Sequence, residues 1–215
     1  MTESVKTYDI AVIGAGIAGA SVAAELAHHA SVALLEMESQ PGYHTTGRSA
    51  AVFAPTYGPA PIRALTRASE DFFRAPPEGF AANPLFSPRQ ILMIARADQR
   101  TTLDTLINEV GGKSPVSRLD TQALITANPL LRPGYANAGM LDMNGQDIDV
   151  AALHQGYLRQ FKSSGGELLT RAEVTALNRD TDMWQIATQA GNICATTVVN
   201  AAGAWADVIG ALAGA

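Results

Sequence analysis

The chain has 215 residues, of which 47% are hydrophobic and 16% are charged, so it is long and apolar enough to bury a core. The net charge of −5 argues against a nucleic acid as partner, because nucleic-acid-binding domains carry a basic surface. The single cysteine, Cys194, excludes a disulfide framework and a cysteine-based zinc site, and we predict no metal site. The N-terminus lacks a basic segment followed by an uninterrupted apolar run. This predicts a cytoplasmic protein without signal peptide or membrane anchor.

The first elements follow a strand–turn–helix–strand pattern. Residues 8–13 form a short apolar run that is typical of a buried parallel strand. Residues 17–30 are rich in alanine, with apolar side chains at helical spacing, and residues 31–36 are a second apolar run. We predict a helix and a second strand there. Residues 41–58 show neither periodicity and are predicted to form a loop.

The rest of the chain alternates helices and strands without a further nucleotide motif. In the middle we predict helices at 61–73, 98–110 and 120–128, strands at 90–96 and 139–142, and irregular backbone at 80–88. Beyond it we predict a helix at 149–163, strands at 167–169, 173–178, 184–188 and 196–199, and a short helix from Ala204. This order indicates a smaller unit inserted into an α/β domain. His154 and Trp205 are expected to have structural roles.

A glycine fingerprint joins the first predicted strand to the first predicted helix. Gly14, Gly16 and Gly19 form the pattern GxGxxG, and Glu36 ends the next predicted strand. In dinucleotide-binding folds the first glycine makes a tight turn, the second admits a pyrophosphate, and the third lets the helix pack on the sheet. A carboxylate after the second strand binds a ribose 2′-OH and disfavours a 2′-phosphate, so NADP is not expected. The fingerprint does not distinguish FAD from NAD.

The loop that follows Glu36 favours FAD. Residues 45–51, with the sequence TTGRSAA, are small or carry a hydroxyl apart from Arg48. Backbone N–H groups and hydroxyl oxygens of such a run can hold the pyrophosphate, ribityl chain and ring of a flavin nucleotide. Arg48 can pair with a phosphate or brace the loop against a carboxylate.

Several motifs in the same order resemble one protein family. The GxGxxG turn, Glu36, PGYHTTGRSAA at 41–51 and VVNAAGAWAD at 198–207 are similar to the FAD-dependent D-amino acid oxidase/dehydrogenase (DAO) superfamily, and most similar to its D-arginine dehydrogenase type. The resemblance implies an α/β fold, in which a Rossmann-like FAD/NAD(P)-binding domain carries an inserted α+β substrate domain. It places the FAD-binding domain at 1–58 and 143–215, and part of the substrate (cap) domain at 59–142.

The resemblance also implies an FAD-dependent amino acid dehydrogenase or oxidase. A hydride leaves the substrate Cα for flavin N5, and the imine that forms is hydrolysed to a 2-oxo acid and ammonia. The implied FAD-binding residues are Gly14, Gly16, Ile17, Ala18, Gly19, Glu36, Met37, His44, Thr45, Thr46, Gly47, Arg48, Ser49, Ala50, Ala51, Val174, Ala202 and Gly203. The partner is a small-molecule amino acid, and the electron acceptor is left open.

Two positions depart from the D-arginine type and concern the substrate. Val52 stands where that type has a histidine, and Ile91 stands where it has a glutamate for the basic side chain, whereas Tyr57 is kept. A buried guanidinium without a carboxylate partner is costly, so we expect a D-amino acid with an uncharged side chain. Tyr57, Ile91 and Val52 are the candidate substrate-side residues.

Family members continue well beyond the length of this chain. We therefore expect the N-terminal part of such a protein, with an incomplete fold, and this part alone need not be active. Two alternatives stay open. One is a CH–OH flavoprotein that oxidises a 2-hydroxy acid or glycerol phosphate, and the other is a non-catalytic FAD-binding fragment.

Overall fold

The computed structural model describes residues 5–112 and 115–215. The strands are β1 Lys6–Ile13, β2 Val32–Leu35, β3 Val52–Phe53, β4 Phe86–Pro88, β5 Ile91–Ala95, β6 Val116–Asp120, β7 Ala138–Asp142, β8 Gln146–Ile148, β9 Glu167–Leu169, β10 Val174–Asp180, β11 Met183–Thr188 and β12 Gly191–Asn200. The helices are α1 Ile17–Leu26, α2 Ala60–Ala68, α3 Glu70–Arg74, α4 Arg100–Val110, α5 Thr121–Ala127, α6 Val150–Ser163 and α7 Ala206–Leu212, with short 3-10 turns at Thr46–Arg48, Ala97–Gln99 and Gly203–Trp205. Over the two described ranges, no helix has the length and hydropathy needed to cross a membrane.

A six-stranded sheet in the order β10-β11-β12-β1-β2-β9 forms the framework of the first unit. Strands β12, β1, β2 and β9 run parallel, and β10, β11 and β12 form an antiparallel meander. All four residues of β2 are buried, as expected for a parallel strand that is covered on both faces. This mixed α/β architecture with a Rossmann-like parallel sheet confirms the predicted fold class.

Successive residues of the central strands enter two different cores, because side chains alternate across a strand. Ala11 and Ile13 of β1 pack with residues of β10, β11 and α7, including Ile209. Val12, between them, packs with the alanines of α1 and with Phe161 of α6. The small side chains of α1 let this helix lie close to the sheet, which brings its N-terminus to the carboxyl ends of β1 and β2.

The chain forms two compact units, and it passes between them four times. The first unit contains residues 5–50, 78–83 and 150–215, and the second contains 51–77, 84–112 and 115–149. The first and last of these crossings lie between residues 50 and 51 and between residues 149 and 150. The domain boundaries expected from the sequence, 58/59 and 142/143, lie several residues away from them. The assignment of these segments to FAD and substrate stays a prediction.

The second unit contains two small antiparallel sheets, in the orders β3-β8-β4 and β5-β7-β6. Helix α4 covers the second sheet, where Leu103 and Val110 pack against Ala95, Ala138 and Met140. Pairing runs in register along β5 and β7, from Ile91 opposite Asp142 to Ala95 opposite Ala138.

Several predicted element boundaries are wrong for identifiable reasons. The first helix ends at Leu26 and not at residue 30, because Asp9 accepts hydrogen bonds from the N–H and hydroxyl of Ser31 and draws the chain into β2. The predicted helix at 61–73 is two helices, α2 and α3, separated at Ser69. The hydroxyl of Ser69 donates to the carbonyl of Leu65, a local bond that competes with the regular helical pattern. Strands β3, β4, β6 and β8 were not expected, and β3 lies within the predicted loop at 41–58.

Candidate cofactor-binding site

A cavity of about 420 Å³ opens at the carboxyl edge of the parallel strands in the first unit. Ligands bind at this edge in open α/β sheets. Five segments border the cavity: the glycine turn, the end of β2, the loop at 42–46, the start of β10, and the segment from Ala201 to Ile209. Within residues 5–112 and 115–215, no group of three or more His, Cys, Asp and Glu side chains is placed to hold a metal ion.

The backbone geometry of the turn requires glycine at two of its three positions. Gly14 has φ of +99°, and a Cβ there would lie 2.5 Å from the carbonyl oxygen of Ala201. A Cβ on Gly19 would lie 1.7 Å from the carbonyl oxygen of Gly14. The turn is therefore folded tightly between the end of β12 and the first turn of α1.

Glu36 is buried, and its carboxylate holds the turn. The Oε2 atom accepts the N–H of Ala15 at 3.1 Å, and Oε1 accepts the N–H of Glu38 at 2.9 Å. Each carboxylate oxygen has two lone-pair sites, so these bonds leave acceptor capacity for a ribose hydroxyl. Glu36 borders the cavity, as does Glu173 beside Val174.

Thr46 caps helix α1 from the loop. The N-cap residue of α1, Gly16, has no side chain with which to cap. The hydroxyl of Thr46 accepts the N–H of Ile17 at 2.9 Å, across 29 residues of sequence. Since this hydroxyl uses a lone pair for the bond, its own proton remains available to an oxygen atom in the cavity.

An aromatic cluster stands beside the cavity. The ring centroids of His44 and Trp205 are 4.6 Å apart, and His44 Nε2 lies 2.9 Å from Glu38 Oε1. Tyr43 contacts His44 edge-on, and the guanidinium of Arg48 lies over the Tyr43 ring. Arg48 thus lies over an aromatic ring, and its pairing with a phosphate or a carboxylate stays a prediction.

The structure brings most of the predicted FAD-binding residues together. Those that border the cavity are Gly14, Gly16, Ile17, Ala18, Glu36, Met37, His44, Thr45, Thr46, Val174, Ala202 and Gly203. Gly19 lies beneath the turn, and Gly47 closes the loop by donating to the carbonyl of Gly42 at 2.8 Å. Arg48, Ser49 and Ala50 are exposed and do not border the cavity, and Ala51 belongs to the second unit. Their contacts with FAD stay a prediction.

The candidate substrate-side residues belong to the second unit. Tyr57 is 69% exposed, and the hydroxyl of its neighbour Thr56 donates to the buried carboxylate of Asp142 at 2.7 Å. Asp142 lies on β7 and pairs with Ile91 on β5. The buried Asp142 therefore contacts both Thr56, which precedes Tyr57, and the strand that carries Ile91. Val52 pairs with Asp147 between β3 and β8.

Sequence reasoning missed several residues around the cavity. His154 is buried on α6, and its Nε2 lies 2.8 Å from the carbonyl oxygen of Ala15, which is 139 residues away. Tyr43 and Trp205 border the cavity, although Trp205 was expected only to pack. No local pattern signals these roles, because each depends on contacts between distant segments.

The residues present fit a dinucleotide. Backbone N–H groups of the first helical turn have no intrahelical acceptor. Apart from that of Ile17, which Thr46 accepts, they can meet a pyrophosphate, and Glu36 can meet a ribose. Val174 and Ile209 give an apolar wall on which an adenine can lie. The volume is within the range of small-molecule and cofactor sites. FAD therefore fits the donors and shape of this cavity.

Comparison with known proteins is consistent with this geometry. Over 205 residues the chain is 27% identical to the tRNA 5-methylaminomethyl-2-thiouridine biosynthesis bifunctional protein of Shewanella amazonensis, a match that covers 92% of this chain and 30% of that protein. It is 26% identical over 188 residues to sarcosine oxidase subunit beta of Rhodobacter capsulatus, covering 83% of this chain and 45% of that protein. Glycine oxidase from Geobacillus kaustophilus has the same fold, with a TM-score of 0.83 at 22% identity, covering 97% of this chain and 59% of that one.

The chain spans less than half the length of these two curated relatives. The family described as FAD dependent oxidoreductase (DAO) matches residues 9–215, a range that includes the glycine turn, the loop and the segment at 201–209. The chain belongs to the FAD dependent oxidoreductase (DAO) family.

Proposed function

We propose that the chain binds FAD in the cavity at the carboxyl edge of its parallel sheet, and that it serves an oxidoreductase acting on the CH–NH bond of a D-amino acid. One observation carries the FAD assignment: Thr46, from the predicted flavin loop, caps the helix that follows the glycine turn. The loop and the turn thus form one binding surface. Bound FAD would supply the two-electron acceptor for a hydride from the substrate Cα, and the residues of the chain would bind and orient it.

We propose an uncharged substrate side chain because the carboxylate of the residue that pairs with Ile91 is already occupied. Asp142, opposite Ile91, is completely buried, and its two oxygens accept from the hydroxyl of Thr56 and from the N–H of Asn144 at 2.7 and 2.8 Å. A carboxylate with these partners is not available to a guanidinium. Two of the relatives, a sarcosine oxidase subunit and a glycine oxidase, support CH–NH chemistry. The D-arginine dehydrogenase type and a cytoplasmic location stay predictions.

The test starts with the purified chain and FAD. After excess cofactor is removed, the visible band of oxidised flavin should stay with the protein. D-Leucine or D-methionine should then bleach the band under anaerobic conditions, while D-arginine should not. Bleaching by a 2-hydroxy acid or glycerol phosphate alone would favour the CH–OH alternative, and retained flavin without bleaching would favour the non-catalytic one.

A matched pair of variants tests the side-chain preference. Ile91→Glu should shift bleaching towards D-arginine, because it restores a carboxylate at that position. Ile94→Glu adds the same charge to the same strand at a more exposed residue and should leave the preference unchanged. Equal effects of the two variants would contradict the role of Ile91.

A further inference from the structure

His154 contacts the turn from below. It lies on α6, is 4% exposed, and its Nε2 is 2.8 Å from the carbonyl oxygen of Ala15. A carbonyl oxygen only accepts, so Nε2 carries the proton and donates it. The ring also packs closely against Gly42, where a Cβ would lie 2.9 Å from Cε1 and 3.1 Å from Nδ1 of His154. The imidazole is therefore wedged between the glycine turn and the start of the flavin loop.

The orientation of one peptide group follows from this bond. In a planar trans peptide the C=O and the N–H point in opposite directions, and the described residues contain no cis peptide bond. Because His154 holds the carbonyl of Ala15, the N–H of Gly16 must point away from His154. Gly16 borders the cavity and His154 does not. The N–H of Gly16 is thus directed to the cavity side.

Glu36 fixes the preceding peptide in the same way. Its Oε2 accepts the N–H of Ala15 at 3.1 Å, so the carbonyl of Gly14 must point in the opposite direction. That carbonyl lies against Gly19, where no side chain fits. The buried side chains of His154 and Glu36 therefore determine which N–H and C=O groups of the glycine turn face the cavity.

The electrostatics of the cavity make this orientation important. Among the described residues that border the cavity there is no lysine or arginine, whereas Glu36 and Glu173 are both present. His44 also borders the cavity, but its Nε2 lies against Glu38, so the attraction for a pyrophosphate falls mainly to backbone N–H groups. If the peptide group between Ala15 and Gly16 were rotated, the carbonyl oxygen of Ala15 would face the phosphates in place of the N–H of Gly16.

We propose that His154 is a positioning residue of the phosphate site, which aims the N–H of Gly16 at the pyrophosphate by holding the carbonyl of Ala15. The inference rests on the proposed binding of FAD in this cavity. It is independent of the substrate and of turnover.

Binding of ADP and of adenosine to the intact chain, measured by calorimetry, separates this role from general support of the fold. His154→Leu removes the donor and should weaken ADP binding about tenfold, while adenosine, which has no phosphate, should change by less than about twofold. His154→Gln places an amide N–H near the position of Nε2 and should restore much of the ADP affinity. FAD affinity, measured by flavin fluorescence, should follow the ADP values.

His28→Leu is the matched control. His28 also connects α6 to another element, through contacts with Gln160 and Ser164 at 3.1 and 3.3 Å, but it is exposed and does not border the cavity. It should leave both affinities unchanged.

Three results would overturn the proposal. They are an equal loss of ADP and adenosine binding in His154→Leu, no difference between the leucine and glutamine variants, or a wild-type chain that does not bind ADP. If His154→Leu does not fold, His154→Gln is compared with His154→Asn, whose amide is too short to reach Ala15. The proposal then expects an ADP affinity near that of wild type for the glutamine variant and a tenfold loss for the asparagine variant. Equal affinities of these two variants would overturn it. A chain that binds ADP but is not reduced by any amino acid would refute the proposed function and leave this inference standing.

Discussion

Replacing Thr46 by valine should destabilise the chain through the N-terminus of α1. Valine has nearly the shape of threonine, so packing at this buried position is kept while the acceptor for the N–H of Ile17 is lost. Loss of a helix cap costs about 1 kcal/mol, and an unsatisfied buried N–H costs up to about 3 kcal/mol. Ile17 is only partly buried, so we expect a value between these limits, about 1–2 kcal/mol. For a chain of this size that corresponds to a fall in Tm of about 2–8 °C.

The assay is thermal unfolding of the cofactor-free chain, followed by circular dichroism. Thr45→Val is the matched control, because Thr45 is the adjacent residue, is exposed, and should change stability by less than about 0.5 kcal/mol. Thr46→Ser keeps the hydroxyl and should recover most of the loss. Equal midpoints for Thr46→Val and Thr45→Val would refute the view that the loop caps the helix.

Two other changes have expected outcomes that are set by the structure. Gly19→Ala should destabilise the chain by about 1–3 kcal/mol and abolish ADP binding, because the new Cβ would lie 1.7 Å from the carbonyl oxygen of Gly14. The control is Gly210→Ala, whose Cβ would meet no atom of another segment within 4 Å and which should stabilise α7 by up to about 1 kcal/mol. Similar urea midpoints for the two variants would contradict this. Hydrogen bonds from Lys6 and then Tyr8 lower the pKa of Glu167, so its stabilising contribution is present above the usual pKa of glutamate and is lost as the pH falls through the lowered value. Urea unfolding should show Glu167→Gln less stable than wild type at pH 7, with the difference shrinking as the pH falls below the usual pKa of glutamate, and a difference that stays constant there would count against the assignment.

The turn and the cap show what local sequence can predict. The GxGxxG pattern can be read in the local sequence, but only the contact of Gly19 with the carbonyl of Gly14 lies within the turn. Gly14 and Gly16 meet Ala201 and Thr46, which are distant in the chain. Helix α5 was also predicted well, since Asp120 accepts the N–H of Ala123 as a local N-cap. The predicted loop contains Thr46, but its bond to Ile17 spans 29 residues and has no sequence signature.

Other features depend on packing between distant segments and were missed. Strand β6 has no continuous apolar run, and Ser117 and Arg118 at its centre are exposed, so only its pairing with β7 defines it. His154 resembles any helical histidine until the fold brings Ala15 to it. The end of α1 at Leu26 follows from the contact of Asp9 with Ser31, which overrides the helix propensity of the alanines beyond it.

The pairing of β1 with β12 has a consequence for biosynthesis. Ile13 and Asn200 are neighbours in the sheet, although about 190 residues of chain separate them. At a translation rate of about 5–20 residues per second, β1 leaves the ribosome roughly 10–40 s before its partner exists. During that interval its apolar edge lacks the strand that will cover it, and such an edge can pair with other chains. We expect nascent chains halted before β12 to be captured by chaperones, and chains halted after it to be released.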